Sequence, residues 1–409
     1  MLARFSLILF GVLAVAANPT RRDKSPISIP FTRKFNLTGG VTLKQLDKAR
    51  IAYMKCGCGM SCDAVTTAAQ TLFDVSATNG AVEYTATIGV GDPATYYSLI
   101  VDTGSSNTWV GADQAYVATS SSQSTGETVS VTYGSGSFSG NEYLDTVTLT
   151  SGYAVTNQSI GVATESQGFS GVDGILGLGP EDLTCGTLSN EDECIATVTQ
   201  NAYTQGLIGV EEIGISFEPT TSTSDTNGEI TFGGVDTSKY AGDITYTPIT
   251  STYPASYYVG VDQTISYGSE TLMSSEAGIA DTGTTLIYIP SSAYEKYVSY
   301  TGATYDDNTG LLKISSEGYD KLDSVYFTIG GTSFELTANA QIWPRSLNTY
   351  IGGDADSIYL VISDLGDDAE TGFEFINGMT FLERFYFVYN SGSSEVGFAT
   401  TEYTTATTN

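Results

Sequence analysis

Two short turns contain the residues of this 409-residue chain that are best suited to chemistry. Each consists of an aspartate, a threonine, a glycine and a hydroxyl residue, at positions 102–105 (D-T-G-S) and 281–284 (D-T-G-T). Both follow apolar runs, which predict buried strands that end at the aspartates. A buried carboxylate is costly unless hydrogen bonds or another charge compensate for it. The repeated pattern therefore indicates a duplicated unit whose two loops, and with them Asp102 and Asp281, could meet.

Carboxylate chemistry is also the chemistry that the composition favours. The sequence contains no histidine, which excludes histidine-based serine and cysteine triads and removes the commonest zinc ligand. Two carboxylates held close together cannot both ionise easily, so one stays an acid while the other acts as a base. Hydrolysis of a peptide bond needs both roles. A single D-T-G could be an ordinary surface turn, but two copies in the same setting predict a paired-aspartate site.

Three further motifs accompany the two turns. They are V-T-Y-G-S-G-S-F-S-G at 131–140, D-G-I-L-G-L-G at 173–179 and I-N-G-M-T-F-L-E-R-F-Y at 376–386. With these motifs the chain resembles the pepsin family of aspartic peptidases, in particular the secreted fungal enzymes of the polyporopepsin type. The resemblance covers nearly everything from about residue 20 onward.

The predicted fold class is all-β, because short β-favouring runs alternate with turns rich in Gly, Ser and Asn. The resemblance implies a bilobal fold in which two related β lobes face each other across a long substrate cleft. We expect a signal peptide at 1–17, a basic pro-segment at 18–70, an N-terminal lobe at 71–243 and a C-terminal lobe at 244–409.

The residues around the aspartates have physical roles in this interpretation. Gly104 and Gly283 allow close approach of the backbone, and the hydroxyls of Ser105 and Thr284 can donate to the neighbouring aspartates or simply cap the turns. The resemblance implies that Thr103 and Thr282 interlock the two turns. It also implies a flap formed by Tyr133, Gly134 and Ser135. By the same resemblance, Trp109 supports Tyr133 through a hydrogen bond, with packing in the core as the alternative. Ile175 and Ile279 would line apolar subsites or belong to the core.

Charge is distributed very unevenly along the chain. Residues 1–70 hold ten Lys and Arg against three Asp, whereas the rest holds six basic and 43 acidic residues. The formal net charge of −30 argues against nucleic acid as a partner, because a phosphate backbone needs a basic surface. The basic head contains a helix-compatible stretch at 42–55 and could be a solvated arm. The family resemblance instead implies an intramolecular inhibitor of the acidic cleft, with Lys48 or Lys55 as candidates for the blocking contact.

The first 17 residues have the pattern of a secretory signal peptide, with an early arginine, an apolar core and small residues at the end. We therefore expect a secreted, extracellular protein that acts on polypeptide substrates. No later apolar run has the length of a membrane span, so no membrane partner is expected, and the resemblance suggests a monomer without a cofactor. The expected glycosylation site of the mature chain is Asn157, in the sequon N-Q-S.

The five cysteines fall into two groups. In an oxidising compartment Cys185 and Cys194 would form a disulfide. The resemblance would place a bridge in the C-terminal half, where this chain has no cysteine. The second group, Cys56, Cys58 and Cys62, could bind a soft metal through thiolates. Because no histidine or fourth nearby cysteine is present, a processed linker is the preferred interpretation and no metal site is predicted.

Two other functions are compatible with parts of the sequence. A binding or inhibitory protein could have the same fold without catalysis, although such relatives usually lose part of one D-T-G. The sequence also departs from the family at Ala280 and Asn377, neither of which would transfer protons. A secreted glycosidase would use paired carboxylates too, but it would normally need more aromatic platforms than two tryptophans provide. The acidic body predicts best activity at low pH.

Overall fold

The computed structural model describes residues 24–37, 41–55, 79–134, 136–366 and 372–408, with the backbone alone at 36–37 and 79–82. The predicted signal peptide, Cys56, Cys58, Cys62 and Ser135 lie outside the described residues. Strands account for 44% of the chain and helices for 16%, so the all-β prediction is confirmed. In the described part of the chain, no helix is both long and apolar enough to cross a membrane.

The described strands, numbered in chain order, are β1 Ile27–Leu37, β2 Asn79–Val90, β3 Thr95–Asp102, β4 Trp109–Val110, β5 Gln123–Thr132, β6 Ser137–Thr150, β7 Tyr153–Gln167, β8 Gly174–Gly177, β9 Glu212–Phe217, β10 Ser224–Phe232, β11 Ala241–Pro248, β12 Gly260–Tyr267, β13 Glu270–Ala280, β14 Ile287–Ile289, β15 Thr304–Tyr305, β16 Leu312–Ile314, β17 Val325–Ile329, β18 Thr332–Leu336, β19 Ile358–Leu360, β20 Ile362–Asp364, β21 Ile376–Asn377, β22 Phe385–Asn390 and β23 Glu395–Thr400. The α-helices are α1 Leu43–Lys55, α2 Val198–Thr204, α3 Ser291–Thr301, α4 Ser316–Tyr319 and α5 Met379–Leu382.

These strands form three sheets. The largest has 13 strands in the order β11-β23-β22-β9-β10-β1-β2-β3-β8-β4-β7-β6-β5. The second has the order β18-β17-β12-β13-β21-β14-β20, and the third is β15-β16-β19. The large sheet contains strands from both halves of the chain, and β11 crosses the expected boundary at 243/244 without a break. The lobe boundaries therefore stay a prediction.

The two D-T-G turns follow strands in equivalent surroundings. β3 pairs in parallel with β8, and β8 pairs antiparallel with β4. In the second sheet β13 pairs in parallel with β21, and β21 pairs antiparallel with β14. The apolar residues of these short central strands are almost completely buried, which fixes their register because a slip of one residue would reverse every side chain. The duplication seen in the sequence is thus repeated in the topology.

The basic head is docked onto the body through one strand and one helix. β1 lies between β10 and β2 in the large sheet. The helix α1 begins with a capping box, in which Gln45 N–H donates to the Thr42 hydroxyl and Thr42 N–H donates to the Gln45 side chain at 2.8 Å. One face of α1 is buried, and it contains two charged residues in addition to its apolar ones: Leu43, Leu46, Asp47, Ala49, Arg50, Ile51 and Met54.

Candidate active site

Asp102 and Asp281 are held in matching ways by their own turns. The N–H of Gly104 donates to Asp102 Oδ1 and the N–H of Gly283 donates to Asp281 Oδ1, both at 3.0 Å. The hydroxyls of Ser105 and Thr284 donate to the Oδ2 atoms of Asp102 and Asp281, both at 2.5 Å. Short bonds of this kind to a carboxylate favour its charged form.

The two turns are tied to each other by their threonines. Thr103 N–H donates to the Thr282 hydroxyl at 3.0 Å, and Thr282 N–H donates to the Thr103 hydroxyl at 3.1 Å. The Thr282 hydroxyl in turn donates to the carbonyl of Val101 at 2.9 Å. Because all these groups are buried, each bond also satisfies a polar atom that would otherwise be costly. This exchange holds the two aspartates in register across the interface between the sheets.

Arg50 from the helix α1 lies between the two aspartates. Its Nη2 donates to Asp102 Oδ1 at 2.5 Å and to Asp281 Oδ1 at 3.0 Å, and its Nε donates to Asp281 Oδ2 at 2.8 Å. The candidates from the sequence were Lys48 and Lys55, whereas the residue that binds both aspartates is Arg50. The Lys48 ammonium donates to the carbonyl of Leu365 at 2.6 Å. A planar guanidinium can bind both carboxylates at once, which a point-like ammonium does less well.

The three charges are almost entirely removed from water, with exposed fractions of 7% for Arg50, 1% for Asp102 and 0% for Asp281. Burial by itself would raise the pKa of Asp281, but the charge and hydrogen bonds of Arg50 hold it below its ordinary value. Burial would likewise lower the pKa of Arg50, and the two aspartates raise it instead. The docked state therefore contains a buried cation that is paired with the carboxylates of Asp102 and Asp281.

The glycines of the D-T-G turns make room for this triad. A Cβ atom at Gly104 would lie 2.5 Å from Asp281 Oδ1 and would also meet Arg50 Nη2. A Cβ at Gly283 would lie 2.7 Å from Asp102 Oδ1. Any larger residue at either position would thus displace the facing carboxylate. The backbone at both glycines thus lies close to the aspartate of the facing turn, as predicted from the sequence.

Asp47, one helical turn before Arg50, makes a second polar contact with the C-terminal half. Its carboxylate accepts from the N–H groups of Thr285 and Leu286, both at 3.1 Å, and from the hydroxyl of Tyr288 at 3.2 Å. Burial raises the pKa of Asp47 to about 6, although these three bonds act in the opposite direction. The sequence analysis missed both residues. The signal was present in the helical spacing, which places Asp47, Arg50 and Met54 on one face with the apolar residues.

The predicted flap residues lie on the other side of Arg50. The hairpin β5–β6 has Tyr133 and Gly134 at its tip, and a Cβ at Gly134 would collide with the carbonyl of Ala49 in α1. The cavity that remains between Arg50 and Tyr133 has a volume of only about 40 Å³. The head therefore fills the space between the hairpin and the aspartates.

The aromatic support of this hairpin consists of stacked rings. The rings of Trp109 and Tyr133 stack with centroids 6.4 Å apart, and Phe138 stacks on Trp109 at 4.2 Å. Trp109 Nε1 and the Tyr133 hydroxyl are both buried. Packing therefore holds the pair together, and the hydrogen bond expected between them stays a prediction.

The two predicted subsite isoleucines belong to the core in this state. Ile175 is 2% exposed and packs in the cluster that contains Trp109, while Ile279 is fully buried in β13. Near Ile279, the unusual Asn377 exchanges two hydrogen bonds with Gln263, at 3.1 and 2.8 Å. Its carbonyl accepts from the N–H of Asp281 at 3.2 Å. The polar residue at this position therefore has a buried amide partner beside the second aspartate.

Two sequence predictions concern residues away from the aspartates. Cys185 and Cys194 form a disulfide, as predicted. Asn157 is exposed in β7 with a positive φ of 50°, and its glycosylation stays a prediction. Among the described residues, no group of three or more Cys, Asp and Glu side chains has an arrangement that could hold a metal ion.

Comparison with known proteins gives a consistent result. The family model described as "Eukaryotic aspartyl protease" matches residues 83–401. Polyporopepsin from Irpex lacteus is 62% identical over 337 residues, which cover 82% of this chain and 99% of that protein. Pepsin A from Sus scrofa is 29% identical over 337 residues, which cover 78% of this chain and 81% of that protein.

A solved structure agrees with these sequence matches. The crystal structure of the aspartic proteinase from Irpex lacteus superposes with a TM-score of 0.80 at 53% identity, covering 94% of this chain and all of that one. These matches confirm the pepsin-like fold and set aside the glycosidase and the non-catalytic binding protein as interpretations. The chain belongs to the eukaryotic aspartyl protease family and is an aspartic endopeptidase.

Proposed function

We propose that this protein is a secreted acid endopeptidase made as a zymogen, in which Asp102 and Asp281 are the catalytic pair. The observation that carries the proposal is that the two carboxylates face each other. Each accepts from the glycine N–H and the hydroxyl of its own turn, and one guanidinium binds both. The proposed leader, residues 1–17, directs secretion, and Asn157 would carry a glycan in the mature chain.

The reaction follows from the charge state of the pair after the head has left. Without Arg50, two carboxylates that are close enough to bind one guanidinium share one proton, as is known for the aspartic-protease dyad. A water molecule bound between them loses a proton to the ionised carboxylate as it attacks the substrate carbonyl. The protonated carboxyl gives its proton to the carbonyl oxygen, and a proton then passes to the leaving nitrogen. The pair titrates as a unit, so the shared proton belongs to neither residue alone.

Substrate would bind as an extended strand under the β5–β6 hairpin. Glycines at 134, 136 and 140 let this hairpin close over the peptide with Tyr133 at its tip, which excludes water from the reacting bond. A preference for hydrophobic residues beside the cleaved bond, a monomeric state and the lack of a cofactor are proposed from the family resemblance.

Inhibition by the head is proposed from the ion triad. Arg50 holds the pKa of Asp281 below its ordinary value, so the docked head favours the ionised carboxylate, whereas catalysis needs a proton that the pair shares. Acidification therefore removes the partner that Arg50 requires, and the helix α1 leaves the cleft. The proposed pro-segment, residues 18–70, would then be cut off from the body.

The test is cleavage of an unfolded protein at acid pH by variants that cannot be blocked. The variant Arg50→Gln is compared with the double variants Arg50→Gln/Asp102→Asn and Arg50→Gln/Asp281→Asn, so that a locked cleft cannot explain a loss. Pepstatin-sensitive cleavage by the single variant and none by either double variant is expected. Comparable cleavage by a folded double variant would overturn the assignment of the pair.

A further inference from the structure

A second cavity, lined by neither of the two aspartates, lies beside the glycosylation sequon. It has a volume of about 390 Å³ and is lined by residues of β5, β6 and β7 and of the loop that the Cys185–Cys194 disulfide closes. Cavities of this size are typical of pockets that hold small ligands. Asn157 lines the cavity and is itself exposed. A group attached to Asn157 is therefore held at the cavity.

Glu142 in β6 is a residue of this cavity with an unsatisfied polar atom. It is 1% exposed, and its Oε1 accepts from the hydroxyl of Ser159 at 2.7 Å. Its Oε2 is buried without a hydrogen-bond partner among the residues that the structure describes. A buried polar atom in this state carries a free-energy cost. The cavity therefore favours a ligand that supplies a partner for Oε2.

The chemistry around Glu142 favours a neutral polar ligand. Burial raises the pKa of Glu142 to about 7, although the bond from Ser159 acts in the opposite direction. At acid pH this carboxyl is therefore protonated and offers both a donor and an acceptor. Glu127 and Glu193 also line the cavity, and both already accept hydrogen bonds from Asn190, at 3.0 and 3.2 Å. None of the described residues that line the cavity is basic, which disfavours an anion.

We propose that the first N-acetylglucosamine of a glycan on Asn157 occupies this cavity and forms a hydrogen bond with Glu142. The inference rests on the proposed glycosylation and goes further, because it makes the first sugar a part of the folded structure. The hydroxyls and the acetamido group of this sugar donate and accept hydrogen bonds, which suits a protonated carboxyl. Leu144, Leu188 and Ile195 also line the cavity and provide apolar contacts for the C–H face of the ring. Attachment to Asn157 makes the contact intramolecular, which gives the sugar a high effective concentration.

The experiment uses the processed enzyme secreted by a eukaryotic host that adds N-glycans, with a peptide map by mass spectrometry to establish that Asn157 is modified. Endoglycosidase H trims the glycan to its first sugar, and Asn157→Gln removes the glycan altogether. We expect the intact and the trimmed forms to unfold at the same temperature at pH 4.5, with pepstatin present to prevent self-digestion. Asn157→Gln should unfold about 3 °C lower, because it loses the hydrogen bonding of the first sugar. Ser159→Ala is not used, since it would also remove the bond to Glu142.

Three further variants show whether the cavity is responsible for this difference. In a Glu142→Leu background, which lacks the polar group, the effect of Asn157→Gln should fall below about 1 °C. Glu142→Gln offers a donor and an acceptor, as the protonated carboxyl does, and should keep the full difference. Thr221→Asn adds a sequon at an exposed position outside the cavity, and in the Asn157→Gln background its glycan should not restore the unfolding temperature.

Three results would overturn the inference. They are an unmodified Asn157, a trimmed form that unfolds at the temperature of Asn157→Gln, and a difference that Glu142→Leu leaves at its full size. An unmodified Asn157 would also remove the proposed glycosylation, whereas the other two results would remove the sugar site alone. The unfolding measurement needs no cleavage of a substrate, so failure of the proposed peptidase function would leave its outcome unaffected.

Discussion

Arg50 binds Asp281 through two parallel hydrogen bonds, from Nε to Oδ2 at 2.8 Å and from Nη2 to Oδ1 at 3.0 Å. The fork of the guanidinium matches the two oxygens of a carboxylate, and Nη2 also reaches Asp102 at 2.5 Å. A buried group of this kind is strongly destabilised when one partner is removed. The stability of the docked head therefore depends on the charge of the carboxylates that Arg50 binds.

Asp47 and Asp281 give the docking of the head opposite dependences on pH. Docking raises the pKa of Asp47 from 3.8 to about 6, so its contribution to docking is full below pH 3.8 and is lost as the pH rises through 6. The pKa of Asp281 is lowered by docking, so its contribution is lost as the pH falls. Acidification therefore weakens docking through Asp281, and Asp47 opposes this effect.

Asp47→Asn should consequently hold the head more tightly than wild type at pH 7 and about equally at pH 3.5. The carboxamide can accept a hydrogen bond at this site without bringing a charge into it. Rates of head removal by a trace of added protease, measured across this pH range, check the prediction. Lys24→Gln, which removes an exposed charge of the head, serves as the control. Faster removal from Asp47→Asn than from wild type at pH 7 would contradict it.

Ser105→Ala should raise the lower apparent pKa of the pH–rate profile by about one unit, since the lost hydroxyl bond to a carboxylate is worth about 1.5 kcal/mol. The bond from Ser105 to Asp102 is short, at 2.5 Å, and its loss makes the ionised form harder to keep. The measurement is kcat/KM against pH for a peptide substrate. Ser105→Thr, which retains a hydroxyl, should restore the profile, and an unchanged profile in Ser105→Ala would show that the bond has no role in tuning the pair.

The processed enzyme should unfold at a higher temperature at pH 4 than at pH 8. The body carries 43 acidic residues and six basic ones, and at high pH their mutual repulsion opposes the compact state. Scanning calorimetry at the two pH values checks this, and added salt should narrow the difference by screening. Equal unfolding midpoints at low salt would disagree with the explanation.

The disulfide should stabilise the folded body by about 2 to 3 kcal/mol, because it closes a loop between residues nine apart in sequence. The variant Cys185→Ala/Cys194→Ala should lose that amount in urea unfolding with little change in the slope of the transition. Reduction of the wild type provides a second route to the same state. A loss well under 1 kcal/mol would mean that the loop is ordered without the bond.

Much of the fold and of the candidate site could be predicted from local sequence. The D-T-G turns, the β strands around them and the helix at 42–55 follow from apolar runs, turn residues and spacing, and the helix is found at Leu43–Lys55. The basic residue that reaches the aspartates could not be identified by charge alone, because Lys48, Arg50 and Lys55 all lie on that helix. The choice depends on which helical face is buried, and that face is defined by long-range packing.

The polar partners inside the core were equally hidden. Gln263 and Asn377 are 114 positions apart, and Asp47 meets Tyr288 across 241 positions. The partner of each residue cannot be identified from local sequence. Strand register in the second sheet brings Gln263 to Asn377, and docking of the head brings Asp47 to Tyr288. For Asn377 and Asp47 the sequence does give a hint, because each is a polar residue in an otherwise apolar pattern.

The most direct test of the account is pepstatin binding by the unprocessed full-length protein at pH 5, measured before any cleavage is visible on a gel. Wild type should bind poorly because Arg50 and α1 fill the cleft. Arg50→Gln should bind about 100-fold more tightly, as expected for the loss of about 3 kcal/mol of docking free energy. The control Lys24→Gln, at an exposed position of the head, should stay close to wild type. Equal binding by wild type and Arg50→Gln would contradict the claim that the arginine closes the site by pairing with both aspartates.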